Sequence, residues 1–186
     1  MIDSKGNQLT PITDPTINGP WDMTVDDRGN NVTAFVSNAF AGTVVRLDLR
    51  VGSTGVTVMS KTVIASGYQH QSDPVTFVDA PTGLVYDPSH DTLFVASTLD
   101  NAVYAVQNAE KTTTNNGTGT VIYSDNTHLH GALAMMMAPN GHLLVTNNDV
   151  INSDPSQPSE IVEFTVTGQF VTQLSVDPAQ GGSFGL

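Results

Sequence analysis

The sequence predicts an all-β protein made of repeated antiparallel sheets, and three observations lead to this fold class. Hydrophobic residues make up 39% of the chain and charged residues only 13%, while Gly, Asn, Thr and Val are abundant, a composition that favours strands and turns. Residues 80–106 alternate short apolar runs with polar turns. The same order recurs in residues 19–49 and 130–166, which indicates internal repeats.

The central repeat defines the strand pattern. Its apolar runs cover residues 83–86, 93–96 and 102–106, and polar segments at 87–91 and 97–101 separate them. Runs of about five residues joined by tight turns predict an antiparallel meander.

The other two repeats follow the same order, and each repeat adds a fourth strand. Asp26, Asp87 and Ala138 end the first strands, and Asn38, Ser97 and Asn147 follow the second. The third strands begin at Thr43, Ala102 and Glu160, and outer strands are expected at 56–64, 118–123 and 167–175.

The central repeat resembles the NHL repeat, the blade unit of six-bladed β-propellers that are also similar to the SMP-30 and gluconolactonase type. The resemblance implies an NHL-type β-propeller with three four-stranded antiparallel blades at 19–65, 80–124 and 130–176. It is informative about architecture and nearly silent about activity. Ser97 departs from the acidic residue usual at its position. The matching residues are Pro81, Gly83, Leu84, Asp87, Leu93, Val95, Ala96, Asn101 and Val103.

Both ends of the chain are expected to extend the repeat. Residues 1–14 are interpreted as the orphan outer strand of a preceding blade, and residues 183–186 as a stub that starts the next one. Three blades leave two apolar faces open, because blades normally pack in a closed ring. We therefore expect ring completion by a missing part of the chain or by self-association.

Charge and composition restrict the partners. The formal net charge of −12, with only six Lys and Arg, argues against nucleic acid. No run is long enough to cross a bilayer, and without cysteine there is no thiolate site. Low lysine with high Asn, Thr and Gly is typical of extracellular or periplasmic proteins. The first ten residues contain no signal peptide, so a cytoplasmic location stays open.

The third strand of the first repeat alternates between two kinds of side chain. Val45, Leu47 and Leu49 are apolar, whereas Arg46 and Asp48 lie between them. A period of two indicates a sheet with one wetter face.

The turns separate the five histidines into two groups. Loops between repeats are expected to share one end of the sheets with the turns between second and third strands. His70, His128 and His130 would lie at this end, and His90 and His142 at the other. Since His128 and His130 are two residues apart in a segment interpreted as extended, their rings are expected to point the same way.

This end is the predicted site, and two functions fit it. The first is a binding module for a small molecule, a glycan or a protein loop. The alternative is a lactonase-like, metal-assisted hydrolase or lyase in which imidazoles hold zinc or calcium. The insertion at 149–159 is expected to be a lid or an exposed loop. The candidate ligand-binding residues are Tyr68, His70, Asp73, His128, His130, Asn147 and Asn148, and the candidate metal ligands are His70, Asp125, His128 and His130.

Overall fold

The computed structural model describes residues 2–3, 5–53, 55–71 and 79–186, and it confirms the all-β class. In these residues the chain forms three antiparallel sheets of four strands each, taken in chain order, and contains no helix. Consequently no described segment offers a helix long and apolar enough to cross a membrane.

Each sheet is a meander of consecutive strands. Sheet 1 consists of β1 (Pro20–Arg28), β2 (Asn31–Asn38), β3 (Thr43–Gly52) and β4 (Gly55–Ser66). Sheet 2 consists of β5 (Pro81–Asp87), β6 (Thr92–Ser97), β7 (Ala102–Gln107) and β8 (Thr120–Tyr123). Sheet 3 consists of β9 (Ala132–Met137), β10 (Leu143–Asn147), β11 (Glu160–Phe164) and β12 (Phe170–Ser175).

Sheet 2 is packed on both faces. On one face Leu84 and Tyr86 are buried against Phe35 of sheet 1, and the rings of Phe35 and Tyr86 lie 4.8 Å apart. On the other face Phe94 is buried against Leu143 of sheet 3. Burial of alternate residues on opposite faces explains why the central strands are almost uniformly apolar.

The first strands of the sheets lie next to one another. The Leu84 backbone N–H donates to the Asp22 carboxylate at 2.8 Å, which joins β1 to β5. A Cβ added at Gly83 would lie 2.6 Å from the Leu133 carbonyl oxygen. The backbones of β5 and β9 therefore approach more closely than an ordinary side chain permits.

The three sheets do not close on one another. Sheet 1 and sheet 3 each have one face that no other sheet covers within the described residues. The structure thus establishes three four-stranded antiparallel sheets, and the expectation of an NHL-type propeller is not confirmed.

The expected strand in residues 1–14 is absent from the described part of that segment, which contains only one isolated bridge between Ile2 and Gln8. The Asp3 carboxylate accepts the backbone N–H groups of Lys5 and Asn7, each at 2.8 Å, so a local turn takes up the backbone donors. Ile12, further along, packs on sheet 1.

Residues 183–186 likewise form no strand. The preceding Gly182 backbone N–H donates to the Ser159 hydroxyl at 2.7 Å, and Ser183 is buried beside the same residue. This terminal segment therefore docks on sheet 3.

The expectation of a wetter face on β3 is wrong at Arg46, which is only 6% exposed. Its Nη1 donates to the carbonyl oxygens of Ala109 at 3.2 Å, Glu110 at 2.5 Å and Thr112 at 2.9 Å. Because these carbonyls follow β7, the guanidinium ties sheet 1 to sheet 2.

Candidate functional site

The predicted site segments flank one turn of sheet 2. The Gln69 backbone N–H donates to the Asp100 carboxylate at 3.2 Å. The neighbouring Asn101 donates through its side-chain amide to the Leu129 carbonyl at 2.8 Å. Asn101 has a positive φ of 47°, a conformation that asparagine tolerates well. The β6–β7 turn thus lies between the two loops.

Asp125 and His128 form a hydrogen-bonded pair. The Asp125 Oδ2 lies 2.5 Å from the His128 Nδ1, and the Tyr123 hydroxyl donates to the same oxygen at 3.1 Å. Burial by itself raises the pKa of Asp125, but hydrogen bonds from His128, the Thr127 backbone N–H and Tyr123 lower this pKa to about 2.

The ionised Asp125 carboxylate can only accept hydrogen bonds, so the His128 nitrogen that faces it, Nδ1, must carry a proton. A neutral ring then carries its lone pair on Nε2, which has no protein partner among the described residues. This is the tautomer required of a general base that acts through Nε2.

A hydrophobic ring supports His128 from the outer strand. Phe170 at the start of β12 stacks on the imidazole with ring centroids 3.8 Å apart, and 41% of Phe170 is exposed. Next to this stack is a cavity of about 370 Å³, a volume within the range of ligand pockets. Its lining comprises His128, Ser156, Gln157, Phe170, Val171, Thr172, Gln173 and Ser175.

His130 has different surroundings from His128, so the expectation that the two rings share one direction is wrong. Residues 126–128 form a turn rather than an extended segment, because the Asp125 carboxylate and carbonyl capture the following N–H groups. His130 is 2% exposed, and its Nδ1 contacts the Asn152 carbonyl at 2.5 Å.

That contact fixes the insertion at 149–159. The Asn152 amide also donates to the Asn126 carbonyl at 2.5 Å, and the Asp149 carboxylate accepts the Ser159 N–H at 2.9 Å. The insertion is thus fastened over the end of sheet 3. Its Ser156 and Gln157 form one wall of the cavity.

Asn147 and Asn148 are buried and do not line the cavity. The Asn147 side chain accepts the His130 N–H at 2.9 Å and donates to the His128 carbonyl at 2.7 Å. Asn148 receives the Val150 N–H on its side-chain oxygen at 3.1 Å. Both residues therefore position the site segments rather than present a surface to a ligand.

Glu160 is a fully buried carboxylate behind the cavity. It accepts hydrogen bonds from Asn147 at 3.1 Å and from Gln173 at 3.3 Å. Burial raises the pKa of Glu160, and the hydrogen bond from Asn147 offsets part of this rise. Its role is to hold the Gln173 side chain, whose Oε1 is buried with no hydrogen-bond partner among the described residues.

Tyr68 and His70 lie apart from this cavity. Tyr68 is a core residue, packed edge-on to Tyr104 at 5.3 Å and donating to the Thr118 carbonyl at 3.0 Å, so it is closed to a ligand. His70 is exposed, with its Nδ1 3.0 Å from the Tyr68 carbonyl. Asp73 lies outside the described residues.

The predicted metal ligands do not assemble into one centre. Asp125 and His128 pair with each other, while His130 and His70 contact backbone carbonyls. Throughout the residues that the structure describes, no group of three or more His, Asp or Glu is arranged to hold a metal ion.

The other two histidines occupy turns between first and second strands and pair with local carboxylates. The His90 Nδ1 lies 2.6 Å from Asp87, and the His142 Nδ1 lies 2.6 Å from Glu163. Each has an acidic partner of its own, so neither contributes to the site at His128.

Sequence reasoning missed Phe170, Gln173 and Glu160. Phe170 opens an outer strand, where an exposed aromatic residue is unusual, and Glu160 opens a strand that is otherwise largely apolar. Phe170 and Glu160 were detectable as departures from the strand pattern. Their partners, His128 and Asn147, lie in other segments of the sequence.

No family model and no curated protein matches the sequence. Among solved structures, the chain is similar to the calcium structure of a Trichoderma reesei carbohydrate-active enzyme of family AA12, with a TM-score of 0.56 and 20% identity. The match covers 83% of this chain and 40% of the AA12 chain. This chain therefore spans less than half the length of the AA12 structure.

The expected membership of the NHL-repeat and SMP-30/gluconolactonase-like propellers is therefore wrong. No family model supports it, and the solved structure that this chain is similar to is assigned to a different enzyme family. The residues that suggested it, such as Gly83 and Asp87, are explained by local requirements. Gly83 permits close approach of two strands, and Asp87 binds the Ser89 N–H in a turn.

The low pKa of Asp125 predicts a pH dependence of stability. Since the folded pKa of about 2 lies below the unfolded value, Asp125 stabilises the fold above about pH 4, and this contribution is lost as the pH falls from 4 to 2. With partial exposure taken into account, it amounts to about 1 kcal/mol. Urea unfolding at pH 5 and pH 2 should show the difference in unfolding free energy between wild type and Asp125→Asn narrowing by that amount. An unchanged difference would contradict the hydrogen bonding of the Asp125 carboxylate.

Proposed function

We propose that the protein binds a small, neutral, hydroxylated ligand such as a sugar in the cavity beside His128 and Phe170. The observation that carries the proposal is the lining, which combines a half-exposed aromatic face with several amide and hydroxyl side chains. Aromatic rings pack against the C–H face of a sugar, while its hydroxyls require both donors and acceptors.

The polar wall has the groups that a hydroxylated ligand needs. Ser156, Thr172 and Ser175 line the cavity with hydroxyl groups, and Gln157 is fixed beside them by the hydrogen bond that its Oε1 accepts from the Gln173 Nε2. Because a fixed amide loses little side-chain entropy on binding, such a wall favours affinity.

Charge favours a neutral ligand over an anionic one. The cavity lining, as far as the described residues define it, includes neither Lys nor Arg, and the chain carries a net charge of −12. A phosphorylated or carboxylated ligand would meet an unfavourable potential. The carbohydrate-active neighbour supports testing sugars first.

A second candidate is a hydrolase or lyase in which His128 acts as the general base. The specific observation in its favour is the Asp125–His128 pair at 2.5 Å, which fixes the reactive tautomer. It requires turnover that Asp125→Asn lowers, whereas a binding module leaves the ligand intact. Following the ligand by proton NMR for several hours separates the two functions.

Binding is tested by calorimetric titration with a panel of neutral mono- and disaccharides. We expect Phe170→Ala to weaken the binding of any sugar that binds by at least about tenfold, since it removes the stacking face. Phe184→Ala is the matched control, because Phe184 is also exposed but does not line the cavity. Absence of binding at millimolar sugar, or equal affinity of the Phe170→Ala protein, would contradict the proposal.

A further inference from the structure

Sheet 1 has an apolar face that is not covered by another sheet within the described residues. This open face of sheet 1 contains a groove of about 560 Å³. Met23 and Val25 of β1 form one side of the groove, and Ile12 and Ile17 of the preceding segment contribute to its lining. Exposed apolar surface of this kind marks interaction sites.

The other two sheets show what normally covers this face. Met23 pairs with Val36 across sheet 1, as Leu84 pairs with Val95 in sheet 2 and Met135 with Val145 in sheet 3. These three positions are therefore equivalent. Leu84 is 4% and Met135 is 7% exposed because the preceding sheet covers them, whereas Met23 is 60% exposed.

Sheet 3 has the complementary face. Met136 pairs with Leu144, as Val85 pairs with Phe94 in sheet 2. In sheet 2 these side chains are buried against the next sheet, and Val85 is 9% exposed. Met136, which has no next sheet, is 39% exposed. We call this surface the open face of sheet 3.

The chain therefore has both halves of an interface that it forms twice internally. From this repetition we propose that the open face of sheet 3 in one copy packs against the open face of sheet 1 in a second copy. The internal interfaces set the chemistry of the partner, a face of a four-stranded antiparallel sheet with apolar side chains on its first two strands. The open face of sheet 3 in a second copy is such a face, with Met136 beside Leu144 and with Glu163 on the third strand.

The two contacting surfaces differ, so this association is heterologous. Each copy has one open face of sheet 1 and one open face of sheet 3. A variant damaged on one face keeps the other, and two variants damaged on opposite faces retain one intact pair of surfaces between them. An isologous dimer or non-specific adhesion does not have this property.

The test uses sedimentation velocity with two variants, Val25→Asp on sheet 1 and Met136→Asp on sheet 3. Both side chains are exposed in the single copy, so the substitutions should leave the fold intact, which circular dichroism verifies. We expect concentration-dependent assembly of the wild type, monomers for each variant alone, and a one-to-one dimer when the two are mixed. Val121→Asp, on a strand of sheet 2 with similar exposure, is the matched control and should assemble like the wild type.

Two results would overturn the proposal. One is a wild-type protein that sediments as a monomer of 19.6 kDa up to several hundred micromolar. The other is a mixture of the Val25→Asp and Met136→Asp proteins that stays monomeric although the wild type assembles, because the contact would then involve other surfaces.

Discussion

Replacing Arg46 by alanine is expected to lower the free energy of unfolding by about 3 kcal/mol. The guanidinium is buried between sheets 1 and 2 and donates to three carbonyl oxygens of the segment after β7. Alanine would leave these acceptors without a donor, and each buried unpaired polar group costs free energy. Urea unfolding followed by circular dichroism measures the loss.

Arg50 is the matched control for this prediction. It lies on the same strand and is exposed, so Arg50→Ala should change the unfolding free energy by less than about 0.5 kcal/mol. Arg46→Lys should recover only part of the loss, because an ammonium lacks the planar fork that reaches several carbonyls. Equal effects of the two alanine substitutions would refute the role of Arg46 between the sheets.

Replacing Gly83 by alanine is expected to destabilise the protein by about 3 kcal/mol, because overpacking against a backbone cannot be relieved by a side-chain rotation. The added Cβ would lie 2.6 Å from the Leu133 carbonyl oxygen and 2.8 Å from the Met135 nitrogen. Strands β5 and β9 would have to separate, and sheets 2 and 3 with them.

Gly52→Ala provides the comparison. The nearest atom to a Cβ there is the Gly55 carbonyl oxygen at 3.9 Å, so the substitution should be neutral within about 0.5 kcal/mol. Thermal unfolding of both variants distinguishes close strand approach from a general intolerance of alanine. A Gly83→Ala protein with wild-type stability would show that β5 and β9 are farther apart.

The strands were predictable because their signals are local. The central apolar runs at 83–86, 93–96 and 102–106 lie within β5, β6 and β7, since a short apolar run between turn-forming residues has few other solutions. Residues 5–13 resemble residues 167–175, which contain the outer strand β12, but they form no strand. There a local Asp3 turn takes up backbone donors, and among the described residues no adjacent strand pairs with this segment.

The site was predictable only in part, because its contacts join distant segments. Loop positions alone indicated that residues 68–70 and 125–131 lie at the same end of sheet 2. The spacing of His128 and His130 gave no sign that Asp125 would fold residues 126–128 into a turn. This turn gives the two imidazole rings different surroundings. The stack of His128 on Phe170 depends on the register of β12 against β11, which the sequence does not specify.

Family assignment failed for a related reason. Turn residues and alternating apolar strands are required by any stack of four-stranded antiparallel sheets, so they report on architecture more than ancestry. Pro81, Gly83 and Asp87 satisfy such requirements here, and the family comparisons do not support the relationship they suggested.

The central claim is that the chain brings His128 onto Phe170 beside a polar cavity. Nuclear Overhauser effects between the ring protons of these two residues test it directly. Ring centroids 3.8 Å apart predict strong cross-peaks between His128 and Phe170. Complete absence of these cross-peaks, with both rings assigned, would contradict the arrangement and the ligand site built on it.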